Sequence, residues 1–282
     1  MNKMSKWIRR LDKLLTFQVP LIIFLGFILL PFYWMLNTAL KVEKSIITPP
    51  IQFFPNPVTF DNFRNAWSNV GFNQFFMNSA IVSVSVMVVA VVLSIMVAYA
   101  MTRFEFRGKV LVVVSLLCTQ FLPRAMLLIP LFMTFRDMGL INSLGAVILS
   151  CLAFQLPFNS VLMMGFMSNV PYEIEEASMI DGCTRFQTIR LVVLPMLLPG
   201  IVAASSFAFI DSWKEYLFPL MFLNEKSKQT ISVGLSFMIG EFSVEYGVLA
   251  AGCLIAVVPP VLLFCYIQKH LVQGMALGAV KG

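Results

Sequence analysis

Four ionisable side chains fall inside stretches that are otherwise apolar: Arg124, Asp211, Lys214 and Glu215. Asp211 is three residues from Lys214 and four from Glu215, so on a helix all three share one side. Within a bilayer such groups are costly and belong against protein or a wet cavity. Two chemistries suit them. They can hydrogen-bond the hydroxyls of a polar cargo while Trp213 stacks on its face. Alternatively, Asp211–Lys214 and Glu215–Arg124 are neutralised pairs that hold helices together. Neither involves covalent catalysis, and no nucleophile–base or metal-ligand constellation accompanies them. Cys118, Cys151, Cys183, Cys253 and Cys265 are not spaced for a metal or a disulfide framework. They read as small packing residues. Met163, Met164 and Met167, at helical spacing, read as packing or lipid-facing groups, not a metal path. His270, beside Lys269, closes the last apolar run as an interfacial residue.

A second group of charges lies in a polar segment, 168–190. Pro171 suits a first helical position. Glu173, Glu175 and Glu176 follow at the end where the helix dipole favours anions. Gly182 is a natural stop, and Thr184 with Gln187 fits a capping box that opens a second helix. The expected arrangement is a short helix, a tight turn and a second helix. The short helix carries Ile174, Ala177, Met179 and Ile180 among acidic residues. Helices that lie on a bilayer surface are usually basic on their polar face, so this one is better suited to a groove on a partner.

The elements that must position these groups are membrane helices. Hydrophobic residues make up 59% of the 282 residues and charged ones 12%, about half the charge of a soluble domain; the mean hydropathy is +0.86. Exposed to water, such a chain would present large apolar patches. A spanning helix needs about 20 apolar residues. Six runs qualify: 15–38, 78–101, 110–135, 140–167, 191–223 and 248–267. The runs are continuous, not alternating, which favours helices over barrel strands. Prolines interrupt several, as buried membrane helices tolerate. The first run follows a basic start but has no small-residue cleavage site, so it reads as an uncleaved span. The expected fold is an all-α polytopic membrane protein, with one transmembrane domain over 1–282. Asp211 falls roughly 25 Å along its span at 1.5 Å per residue, in the half facing away from the 168–190 loop.

Charge orients the bundle. With the N-terminus inside, Lys3, Lys6, Arg9, Arg10, Lys13, Arg103, Arg107, Lys109, Arg185, Arg190, Lys269 and Lys281 are cytoplasmic. Only Lys41, Lys44, Arg64, Arg136, Lys226 and Lys228 are external. The excess puts both termini and the 168–190 loop in the cytoplasm. It also accounts for the sequence pI of about 9.1 without a nucleic-acid partner. The outer loop 39–77, rich in proline and aromatics, reads as an ordered segment; the loop 224–247 carries glycines and mixed charge.

Several motifs together resemble a known family. Glu176-Ala177, Asp181-Gly182 and Leu194-Pro195 are similar to the cytoplasmic EAA loop of ABC-importer permeases. The resemblance narrows at Thr59–Phe63, Leu128–Phe132, Gly139–Asn142, Trp213–Pro219 and the tail Gly274–Gly282. These look like the binding-protein-dependent carbohydrate permeases, the maltose G-subunit-like branch with the type I importer fold. The resemblance implies a bacterial inner-membrane sugar importer containing a second permease subunit, two ATPase subunits and an extracytoplasmic binding protein. It makes Glu175, Glu176, Ala177, Met179, Asp181 and Gly182 ATPase-coupling residues, and brings the tail, with Gly278 and Lys281, to the ATPase. Arg124, Asp211, Trp213, Lys214 and Glu215 become the candidate substrate path. Lys214 stands where the family more often has a small polar amide, and Arg124 where glycine is common. The chain lacks a G-x-x-x-x-G-K-[ST] loop, so ATP and Mg would sit on partner subunits, with no cofactor here. Peptides, amino acids or polyamines are alternative cargoes for the same architecture. An ion-driven secondary transporter would show inverted repeats and charged midplane sites; neither is visible.

Overall fold

The computed structural model describes residues 14–239 and 244–279. Lys281 and the basic residues Lys3, Lys6, Arg9, Arg10 and Lys13 lie outside them. After a π-helical turn at Leu14–Gln18 the helices are α1 Val19–Ala39, α2 Phe72–Arg103, α3 Lys109–Thr119, α4 Arg124–Asp137 and α5 Leu144–Met167. Next come α6 Tyr172–Ile180 and α7 Arg185–Thr188, the latter continued by a π segment, Ile189–Val193, and by Leu194–Met196. The chain closes with α8 Leu198–Trp213, α9 Leu217–Phe222, α10 Ile231–Phe237 and α11 Tyr246–Ala279, the last including Gly278. Among the described residues the only β pairing is an isolated bridge, Ile239–Val244.

Four helices are long and apolar enough to cross a membrane: Thr16–Ala39, Phe72–Arg103, Leu144–Met167 and Tyr246–Gln268. Two bent pairs bring the number to six if each is one span. The run 110–135 is thus two helices, α3 and α4, bent by 100°. The Pro123 ring disfavours the helical region at Leu122, and Pro123 itself is extended with ψ 126°. The run 191–223 divides twice. Its first part bends by 76° at Leu197, where Pro199 lacks the N–H that would reach the Pro195 carbonyl. The second division follows Trp213, so α8 ends before Lys214 and a separate α9 begins at Leu217. Pro31, Pro130, Pro157, Pro259 and Pro260, by contrast, lie inside continuous helices.

The chain forms two compact units, one built from residues up to Val70 with Met238–Ile255, the other from Gly71–Phe237 with residues from Ala256 onward. In the second, α2, α5 and α8 supply the core. Small residues line their contacts: Ala90, Ala98, Ser83, Ser94, Ala203, Ala204 and Ala208 are all buried. Without a hydrophobic drive between helices in lipid, close approach of small residues is what permits dispersion contact. Gly200 marks a close approach, where a Cβ would lie 2.6 Å from Phe166 Cγ. Met163 and Met167 are buried in this packing, with Val91, Val193 and Leu197. Ser150 and Ser160 return their hydroxyls to carbonyls four residues back, at 2.9 and 2.7 Å, which satisfies them without water.

In the first unit the loop after α1 folds back on the helix that precedes it. Tyr33 and Lys41 donate to the Phe53 and Gln52 carbonyls, and Trp34 meets Phe53 edge-on at 6.0 Å. Burial pushes the Lys41 ammonium pKa down from its ordinary value. Asn62, also buried, donates to the Ala39 and Lys41 carbonyls at 2.9 and 2.7 Å; these are groups a helix end leaves without partners. Glu43 accepts from the Tyr246 and Gly247 amides at 2.7 and 2.9 Å, capping the start of α11. The expected ordered loop is therefore held by named bonds. Asn62→Ala removes both donors and should destabilise the fold by about 1–3 kcal/mol, the penalty for an orphaned buried carbonyl. Thermal unfolding in detergent reads this, and an unchanged midpoint would remove Asn62 from the account.

Candidate functional site

Two of the three helix breaks, at Pro123 and after Trp213, come together at one cluster of charges. Arg124 is the first residue of α4, immediately after the Pro123 break. Asp211 sits in the last turn of α8, and Glu215 lies between α8 and α9. The Arg124 guanidinium reaches Asp211 Oδ2 at 2.5 Å through Nη2 and Glu215 Oε2 at 2.8 Å through Nη1. Such two-carboxylate bonding matches the fixed fork of arginine. Glu215 is buried, and its other oxygen accepts from the Tyr216, Leu217 and Phe218 amides at 3.1, 2.9 and 3.3 Å. One carboxylate therefore pairs a cation and caps α9, where the helix dipole also favours a negative charge. The guanidinium lies 5.2 Å from the Phe154 ring centre, and Phe154 stacks on Phe218 at 5.8 Å.

Lys214 completes the cluster, its Nζ 3.5 Å from Asp211 Oδ1. Both expected pairs are present, with an Arg124–Asp211 contact added. Trp213 is placed elsewhere. It is buried, stacks on Phe209 at 5.5 Å, meets Phe76 edge-on at 5.3 Å and donates its Nε1–H to the Ala256 carbonyl at 3.0 Å. Beside the charges opens a cavity of about 400 Å³, lined by Gln120, Leu122, Arg124, Phe154, Gln155, Phe158, Phe207, Ile210, Asp211 and Lys214. Charged groups, amides and aromatic faces thus meet in one hollow; Trp213 and Glu215 do not line it. Gln120 and Gln155 are amides within apolar runs, a signal the sequence carried and the ionised residues overshadowed.

The segment 168–190 forms the second group. Pro171 stands one place earlier than expected, as the cap of α6. Gly182 has φ +93°, a left-handed conformation that favours glycine, and the Thr184–Gln187 capping box is formed. The short helix is turned opposite to a soluble one. Glu175 and Ser178 are its buried residues, while Ile174, Glu176, Ala177 and Ile180 are exposed and Met179 half-buried. Asp181 and Gly182 are exposed at its end. Glu175 accepts from Arg103 Nε at 2.7 Å and from the Tyr99 hydroxyl at 3.1 Å. Arg103 also donates to the Val170 carbonyl at 2.8 Å. Ser178 and Thr188 share a 2.8 Å hydrogen bond. Glu175 therefore ties α6 to the end of α2. Arg103 figured in the sequence only as one of many inner charges; nothing local marked it as this partner.

The profile of the family described as "Binding-protein-dependent transport system inner membrane component" matches residues 90–277, well over half of the sequence. The chain belongs to this family. It is 34% identical to the diacetylchitobiose uptake system permease protein DasC of Streptomyces coelicolor, covering 93% of this chain and 94% of that one. It is 32% identical to the sulfoquinovosyl glycerol transport system permease protein SmoH of Agrobacterium fabrum, covering 90% and 89%. Its fold is similar to a crystal structure of a bacterial ABC transporter involved in the import of the acidic polysaccharide alginate, with a TM-score of 0.78 at 19% identity over 95% and 98% of the two chains. The all-α ABC importer permease fold expected from the motifs is the one observed.

In this transport-system component the charge cluster joins α4 to α8 and α9, and the strength of that joint can be measured. Arg124→Met leaves buried Glu215 without its cation. Breaking a buried pair by removing one partner costs 3–5 kcal/mol, and the loss here should be about 3 kcal/mol because a third of the Arg124 side chain is exposed. Adding Glu215→Gln should restore part of it. Thermal unfolding of both variants in detergent distinguishes a joint from a passive surface pair: an unshifted single variant means the pair holds nothing.

Proposed function

We propose that the chain is the transmembrane subunit of an ATP-driven importer of sugars, forming the translocation path with a second permease subunit. The observation that carries this reading is α6: a short helix whose exposed residues include Ile174, Ala177 and Ile180, while its buried glutamate is fastened to Arg103. An apolar face turned outward from a polar loop is suited to a hydrophobic groove on another protein. On this reading the groove belongs to a cytoplasmic ATPase dimer. Glu176, Ala177, Asp181 and Gly182 meet it, and Glu175 passes the motion inward to α2. The basic residues of the α2–α3 turn, Arg107 and Lys109, favour placing this side in the cytoplasm. An extracytoplasmic binding protein, implied by the family's description, delivers cargo from the opposite side. ATP and Mg are held by the ATPases, and hydrolysis shifts the bundle between inward-open and outward-open populations.

Sugar as cargo rests on two supports. The similar permeases serve diacetylchitobiose and sulfoquinovosyl glycerol uptake. The cavity offers amides and charges for hydroxyls beside the rings of Phe154, Phe158 and Phe207, a mixture of apolar wall and few polar groups that suits a small organic ligand.

The test is purification in mild detergent followed by reconstitution. An ATPase and a second permease should co-purify, and uptake of oligosaccharide into liposomes should require ATP and stop with vanadate. Ile180→Asp should release the ATPase from the complex. Glu175→Gln should keep the ATPase bound but lower the sugar moved per ATP several-fold. Recovery of the chain alone, with uptake driven by an ion gradient, would rule the reading out.

A further inference from the structure

We infer that the cavity beside Arg124 receives the anionic group of an acidic saccharide, with Lys214 as the cation that selects for it. The inference deepens the transport reading above and rests on it. Its basis is how the four charges are occupied. Arg124 spends its two terminal nitrogens on Asp211 and Glu215. Glu215 divides its oxygens between Arg124 and the three amides at the start of α9. It is absent from the cavity wall. The wall carries Arg124, Lys214 and Asp211; Glu215, 2.8 Å from Arg124, balances the four charges, but the two cations are unequally paired.

Lys214 is the less tightly paired of the two. Its side chain is 69% exposed, and among the described residues its ammonium meets only Asp211, at 3.5 Å. That distance is beyond a good hydrogen bond, and Asp211 is already committed to Arg124 at 2.5 Å. The Lys214 ammonium thus lines the cavity with one long contact to a shared carboxylate. Lys214 closes the C-terminal end of α8, where the helix dipole tolerates a cation. That favours a positive charge at this position without supplying it a counter-ion.

Pairing favours an anionic ligand over a neutral one. A neutral sugar entering the cavity would strip water from an ammonium and return only hydroxyl contacts, an unfavourable exchange for a full charge. A carboxylate or sulfonate returns an opposite charge at close range, in a surrounding less polar than water, where the pairing is stronger. The remaining wall fits the rest of such a molecule: Phe154, Phe158 and Phe207 for the ring faces, Gln120 and Gln155 for hydroxyls.

The experiment uses the whole transporter with its partner subunits in cells, supplied with mixed hydrolysates of pectin, alginate, cellulose and chitin. Mass spectrometry reads which oligosaccharides enter. Uronic-acid oligosaccharides should enter at least tenfold faster than neutral ones. Lys214→Gln should reduce the acidic-to-neutral ratio by about tenfold, and Lys214→Arg should keep it, each normalised to assembled complex. Entry of neutral sugars alone, or a ratio that Lys214→Gln does not change, overturns the inference and leaves the transport reading standing. Entry of no saccharide overturns both.

Discussion

The bonding of Arg124 to Asp211 and Glu215 is the constraint on which the charged core of the fold depends. Ionised groups in an apolar setting must be neutralised, and each of these three sits where a helix begins or ends. α4 starts at Arg124, α8 closes around Asp211, and α9 starts under the Glu215 carboxylate. The proline at 123 and the stop after Trp213 would otherwise leave frayed ends within the bundle. Because the two breaks meet, each provides the polar partner the other lacks. The aromatic ladder from Phe154 through Phe218 to Phe222 backs the joint on its apolar side, with ring spacings of 5.8 and 5.7 Å.

The same solution recurs at the junction of α6 with α2. Glu175 is 1% exposed and would be expensive there alone. Arg103 and Tyr99 satisfy both its oxygens, and Ser178 is satisfied by Thr188 at the end of α7. Polar groups thus fasten the helix from beneath, leaving Ile174 and Ile180 outward. A partner that covered this outer face would bury its apolar side chains, which is why the arrangement supports a partner-binding role.

Much of this was legible in the sequence, and the reasons are local. The Thr184–Gln187 capping box and the left-handed Gly182 depend on neighbours a few residues away. Six apolar runs follow from length and hydropathy. The breaks were only half visible. Pro123 and Pro199 bend the chain while Pro31, Pro157 and Pro259 do not, because tertiary packing decides whether a freed carbonyl is satisfied. Trp213 was misleading for a related reason. Its type suits a sugar, but its direction is set by where α8 stops, and that turns its ring onto Phe209 and Phe76. Glu175 and Arg103 are 72 residues apart, and no local pattern links them.

The two joints are connected through α8. Its first turn follows the 76° bend at Leu197, and Leu197 is buried with Val193, Met163 and Met167. Its last turn carries Asp211. Sixteen residues make it roughly 24 Å long. Close-packed interiors move as rigid bodies because a gap or overlap costs more than a shift of the whole element. Gly200 packs against the Phe166 ring near the bend, where a side chain would not fit. On the proposed reading, a force on α6 passes through the Ser178–Thr188 contact into the segment Ile189–Val193 and so to the start of α8. What arrives at the far end is a displacement of Asp211 relative to Arg124, at the wall of the cavity itself. On that reading, the charge pair that holds the broken helices together lies on the route of the motion that opens or closes a path for cargo.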